Sequence, residues 1–207
     1  MLAFLSDLFD GLEKVSTSQW FYLVIVAIAF LDSVVPVVPS ETAVILGGIA
    51  AGQGHLNIVA VIACAAAGAA LGDNTAYALG HRFSSRIQEW YARKPKRAAQ
   101  LAWAENQLRT RGGSLLLTAR FIPGGRTVIT VTSGITRQPR RRFVLFVVLA
   151  CVVWASYAGI LGFAAGERFK DNHTKAFIIA FAAALAFSGL LEIVRHLLKK
   201  RNTTVVA

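Results

Sequence analysis

Apolar positions along this chain come in long runs. From Thr42 to Gly72 no Asp, Glu, Lys or Arg occurs in 31 residues, and an apolar run of that length reads as membrane-embedded. A transmembrane helix needs about 20 apolar residues, and three stretches qualify: residues 56–80, 143–165 and 174–198. Residues 19–32 predict a shorter membrane helix, with Trp20 and Tyr22 at its mouth as interfacial aromatics. Ahead of it, Leu5, Leu8, Phe9 and Leu12 share one face opposite Asp7 and Asp10, so residues 1–14 predict an amphipathic helix lying on the membrane surface.

Two segments break the pattern. In residues 33–54, Pro36 and Pro39 each remove a backbone donor and disfavour helix at the preceding residue. Ser40 is then a natural N-cap with Glu41 in the first turn. The helix that follows reaches only to about Ala51, roughly 16 Å, half of a ~30 Å hydrocarbon core. A segment that enters, breaks and returns is a re-entrant hairpin, which survives at membrane depth only where protein or a wet cavity covers it. Residues 112–136 repeat the theme, with two short apolar runs around Arg120-Phe121-Ile122-Pro123-Gly124-Gly125-Arg126. A continuous span would put both arginines near the bilayer centre, at about 2.5–3.5 kcal/mol or more each on insertion scales. A second hairpin fits better. A different drawing, with Trp20–Val38 as one kinked span, would alter the surroundings of Asp32 and Glu41.

Composition sharpens this picture. Hydrophobic residues make up 55% of the 207 and charged residues 16%, against roughly 25% charged in a soluble domain, so a water-soluble enzyme is excluded. The net charge of +11 is unevenly placed: +6 in 81–112, +4 in 137–142, +3 from Glu192 onward and −2 in 1–18. Basic connecting segments mark cytoplasmic loops, which puts the 81–111 segment, the 137–142 anchor and the 199–207 tail inside. Hairpin one then enters from outside and hairpin two from inside. Inverted broken elements meeting at the midplane are a feature of secondary transporters. Nucleic acid is not an expected partner, because no soluble basic face remains. Cys64 and Cys151 sit in apolar runs as small hydrophobes, and Asp7, Asp10 and Glu13 replace the basic start of a signal peptide.

Five ionisable residues fall in the membrane segments: Asp32, Glu41, Asp73, Arg120 and Arg126. Intramembrane charges are functional candidates by default. The competing reading is that they form ion pairs holding the hairpins together. Arginine used twice, with Pro123-Gly124-Gly125 between, favours function, since its planar fork grips phosphate and stays charged. Asp32 and Glu41 suit proton or Na⁺ coupling, because a carboxyl in an apolar site can take up and release a proton. Asp73 is as readily a counter-ion as a functional group. Tyr77 reads as packing, as do Trp154 and Tyr157, and Gly68, Gly72, Ala76 and Gly80 form a small-residue stripe for close helix contact. No cofactor or metal is expected, and no nucleophilic triad or elbow appears, so the chain does not read as an enzyme.

These residues carry a resemblance. Asp32-x3-Pro36-x2-Pro39-Ser40-Glu41, Gly72-Asp73-x3-Tyr77-x2-Gly80-His81-Arg82, Arg120-Phe121-Ile122-Pro123-Gly124-Gly125-Arg126 and Trp154-x2-Tyr157 resemble the DedA family, bacterial members of the VTT (SNARE-associated Golgi protein) superfamily. The likeness runs from about Trp20 to Gly166, and the Arg-Phe-Ile-Pro-x-x-Arg block is its most specific part. It implies an all-α polytopic inner-membrane transporter with two opposed re-entrant hairpins in an inverted-repeat arrangement. It also implies a role in returning undecaprenyl phosphate, the lipid carrier of wall synthesis, to the cytoplasmic leaflet, with proton or Na⁺ coupling. By motif position Arg120 and Arg126 would bind the phosphate, and Asp32 and Glu41 would couple. Asp73, Tyr77, Ser40, Pro123, Gly124 and Gly125 would support them. Many members carry Glu where this chain has Asp32. The expected partners are an anionic prenyl phosphate and membrane lipids, with a homo-oligomer left open. Two other functions stay in view: a scramblase of ordinary phospholipids, and a cation/proton exchanger with structural arginines.

Overall fold

The computed structural model describes residues 18–35, 40–120 and 125–169, with single positions at 177, 179 and 182. The amphipathic 1–14 segment, Pro36, Pro39, Pro123, Gly124, nearly all of the 174–198 span and the 199–207 tail lie outside the described residues. Within them the chain is all helical, with seven helices and no strand. These are α1 (Phe21–Val34), α2 (Ser40–Gly52), α3 (Ile58–Arg82), α4 (Ser84–Ala92), α5 (Pro95–Ala119), α6 (Gly125–Ile135) and α7 (Arg140–Arg168).

Local chemistry accounts for several helix ends. The Asn57 side chain caps α3, accepting from the amides of Val59 at 2.9 Å and Ala60 at 3.2 Å. The Asn57 amide itself donates to the Tyr22 hydroxyl at 2.7 Å, which ties the start of α1 to that of α3. Pro95 opens α5 where its missing donor costs nothing. Inside α5, Arg111 leaves helical geometry (φ −126°, ψ 15°), so the polar first part is kinked against the 112–119 part that follows Gly112-Gly113.

Two helices, α3 with 25 residues and α7 with 29, are long and apolar enough to cross a membrane. By contrast α1 (14 residues), α2 (13) and α6 (11) are short, rising roughly 21, 20 and 16 Å against a ~30 Å core. The long helices are apolar on both faces. On α7, Phe143, Val147, Cys151 and Trp154 are buried while Leu145, Leu149, Val153 and Ile160 are exposed. A helix apolar all round belongs in lipid, not water.

The short helices lie along the long ones. A Cβ at Gly68 of α3 would run into the backbone of Val26 in α1, and one at Gly80 into that of Val131 in α6. The small-residue stripe therefore seats α1 on the first part of α3 and α6 on the last part, by the backbone approach that membrane helices use. On α7 the pattern recurs. Its Gly162 abuts Ile45 and Gly48 of α2, while Phe146, nearer its start, packs over Gly113 of α5. The end of α1 (Ser33, against Gly72), Arg120 after α5 and Arg126 at the start of α6 all meet the Gly72–Asp73 level of α3.

Candidate functional site

The helix ends bring four charges together. Asp32 lies in the last turn of α1, Arg120 directly follows α5, Arg126 is the second residue of α6, and Asp73 projects from the middle of α3. Arg120 Nη1 donates to Asp73 Oδ2 at 2.8 Å, with both side chains 2% exposed. Arg126 Nη2 donates to the Asp32 backbone carbonyl at 2.6 Å and to Asp32 Oδ2 at 3.2 Å. Arg126 Nε stands 3.6 Å from Asp73 Oδ1. Asp73 thus reaches both guanidiniums, and two acids balance two bases. That balance offsets the desolvation that would otherwise expel the charges, because a buried charge is tolerated when it is paired.

Hydrogen bonding is less complete than charge. Among the described residues, Asp73 Oδ1, Arg120 Nε and Nη2, Arg126 Nε and Thr127 Oγ1 are buried without a hydrogen-bond partner. An unmet buried polar group costs about 1–3 kcal/mol, and most of these atoms are donors. The network therefore has spare capacity for an acceptor-rich anion. A narrow cleft of about 10 Å³, about the room of one water, lies here, lined by Asp73, Arg120, Arg126 and Thr130 with the apolar Leu116 and Val147.

Other residues named from the sequence are distributed around this network. Ser40 is the first residue of α2, and its hydroxyl donates to Asp32 Oδ2 at 2.5 Å. Through this bond Ser40, expected as an N-cap, braces the Asp32 carboxylate. Gly125 opens α6 beside Arg126. Glu41, one residue past Ser40, makes no ion pair or hydrogen bond among the described residues. Tyr77 lies about one turn beyond Asp73, stacked on Phe143 at 4.3 Å, with its hydroxyl donating to the Gln138 carbonyl at 2.6 Å. It joins α3 to the connection between α6 and α7.

Two contributors were not legible as such. The Trp154 ring lies against the Arg120 guanidinium at 4.9 Å, so it is more than span packing: a cation–π contact helps hold the arginine that Asp73 also binds. Cys151 Sγ approaches Asp73 Oδ2 at 3.8 Å. Positions 151 and 154 share one face at helical spacing, but nothing in an apolar run says which face meets a charge. Among the described residues no group of His, Cys, Asp and Glu could hold a metal ion.

With that geometry in place, residues 38–164 match the VTT domain family. The chain belongs to the DedA family. The matched stretch contains Glu41, Asp73 and both arginines. The chain is similar to Protein DedA of Escherichia coli (strain K12), 25% identical over 86% of this chain and 84% of the relative. It is also similar to Inner membrane protein YghB of the same strain, 29% identical over 87% and 85%. A third relative is Undecaprenyl phosphate transporter A of Bacillus subtilis (strain 168), 25% identical over 66% and 70%. No solved structure matches. This is therefore a membrane protein of the DedA family, and its long apolar helices agree with that placement.

Proposed function

We propose that this protein is a flippase for a phosphate-bearing lipid in the bacterial inner membrane, with undecaprenyl phosphate returned to the cytoplasmic leaflet as its cargo. One observation carries the reading. Two arginines on either side of residues 121–124 converge on Asp73 inside an apolar helical body, with buried donors that have no acceptor among the described residues. Guanidinium forks in a low-dielectric site favour a phosphate over other head groups. An isoprenoid tail can remain in lipid, so the protein need hold only the head. The name of the Bacillus subtilis relative supports the same cargo.

In this reading residues 33–54 and residues 112–136 are two opposed re-entrant hairpins, entering from outside and inside respectively. The C-terminus is cytoplasmic. Asp32 and Glu41 take up and release protons or Na⁺ as the site alternates. Asp32 faces Arg126, so its loss of charge would free that arginine for phosphate. Labelled undecaprenyl phosphate flux in proteoliposomes tests the cargo. Soluble phosphate monoesters should inhibit it and phosphodiesters should not; inhibition by diesters alone would point to a phospholipid scramblase.

The closed Arg120–Asp73 pair, at 2.8 Å and 2% exposure, favours a second reading in which the arginines are structural and the protein exchanges cations for protons. Arg120→Lys separates the two. Phosphate recognition requires a large loss of flux, whereas a structural cation would survive the change.

A further inference from the structure

Asp73 has a place in the network that the flippase reading leaves unused. It is the carboxylate that lies within 4 Å of both guanidiniums, Arg120 at 2.8 Å and Arg126 at 3.6 Å, whereas Asp32 pairs with Arg126. Its two oxygens are placed much as two oxygens of a phosphate between the arginines would be. The fit is imperfect on one side. Asp73 Oδ2 makes a full hydrogen bond to Arg120, but Oδ1 and Arg126 Nε, 3.6 Å apart, are too far from each other to bond, and both are buried without partners among the described residues. A two-oxygen anion on a short side chain bonds one nitrogen of Arg120 and stops short of Arg126.

We propose that Asp73 is a built-in surrogate anion, occupying the arginine pair in the empty state and competing with the cargo phosphate for it. The inference rests on the flippase reading and adds to it how the head group is released. Without an internal competitor, two buried guanidiniums would hold a phosphate dianion too tightly for turnover, since opposite charges interact strongly in a low-dielectric site. Asp73 lowers affinity to a level from which the cargo can leave, and it keeps the arginines oriented while the site is empty. It is a positioning residue that acts through Arg120 and Arg126.

The competition has a sign that a simple structural pair lacks. Removing the carboxylate charge should strengthen phosphate binding and slow release. Lengthening the side chain should let the carboxylate reach Arg126 and compete harder. The test is calorimetric titration of detergent-solubilised wild type, Asp73→Asn and Asp73→Glu with inorganic phosphate, repeated with a short-chain prenyl monophosphate. Asp73→Asn should bind at least tenfold tighter than wild type, and Asp73→Glu at least threefold weaker. Both ligands should shift by the same ratio if the head group alone is read. A change confined to the prenyl compound would place the effect on the tail and overturn the inference. Thermal shifts on phosphate addition should be larger for Asp73→Asn, with flux in proteoliposomes reduced.

If folded Asp73→Asn binds phosphate no more tightly than wild type, Asp73 is only structural and the inference fails. If Asp73→Asn does not fold, Asp73→Glu decides, and unchanged or tighter binding there overturns the inference. Absence of binding in all three proteins would contradict the flippase reading itself. Wild-type binding that Asp73 does not modulate would leave that reading standing alone.

Discussion

Arg120 and Arg126 flank the same short stretch, residues 121–124, yet they are held very differently. Arg120 is 2% exposed, bonded to Asp73 and in cation–π contact with Trp154. Arg126 is 14% exposed and rests on Asp32, itself 17% exposed and braced by Ser40. Both arginines carry donors unmatched among the described residues, but only the Arg126 pair is partly exposed. Under the proposed function this contrast implies a division of labour within one pocket: the sealed arginine would fix the geometry of the site, and the more exposed one would meet the incoming head group first.

The largest effect should separate the two in stability. Arg120→Ala leaves Asp73 buried with one partner gone, which should cost about 3–5 kcal/mol in unfolding measured in detergent. Arg126→Ala, in a pair that is 14% and 17% exposed, should cost less than Arg120→Ala. Equal losses would remove the distinction. Next comes the seating of α6. Gly80→Val pushes a side chain into the Val131 backbone, and overpacking of this kind costs about 1–3 kcal/mol. Flux should fall although Arg126 is intact, because the helix that presents it has moved.

Smaller changes sharpen the same contrast. Trp154→Leu removes the cation–π contact, worth about 0.5–2 kcal/mol, and should lower phosphate affinity through Arg120 without altering the Arg126–Asp32 pair. Tyr77→Phe loses one hydrogen bond to the Gln138 carbonyl, about 1 kcal/mol in stability, and should leave flux close to wild type. A strong transport defect in Tyr77→Phe would extend the site one helical turn beyond Asp73.

Much of the helical layout follows from patterns visible along the chain. The charge-free runs mark α3 and α7, and the intervals of four at Gly68, Gly72, Ala76 and Gly80 mark a contact face. What no single run reveals is the partner. That α1 lies on the Gly68 end of α3 and α6 on the Gly80 end depends on how four short segments share two long ones. The same limit applies at the site. Five intramembrane ionisable residues stand out from composition alone, because charges in lipid are rare. Their pairing does not: Asp73 looked no more central than Glu41, yet it reaches both arginines while Glu41 meets neither among the described residues. Ser40 shows what a local rule leaves out. A serine at a helix start reads as a cap, which says nothing of the carboxylate eight residues earlier in sequence to which its hydroxyl donates a hydrogen bond. Trp154 was hidden for the opposite reason, as one aromatic in an apolar helix whose face toward Arg120 is set by packing.

The central claim is that Arg126, at the open edge of a buried arginine pair, receives the phosphate of a lipid. The most direct measurement is flux of labelled undecaprenyl phosphate in proteoliposomes, comparing wild type with Arg126→Ala at equal incorporation and equal thermal stability. The account expects the variant to fall to the rate of protein-free vesicles. Flux equal to wild type would contradict it.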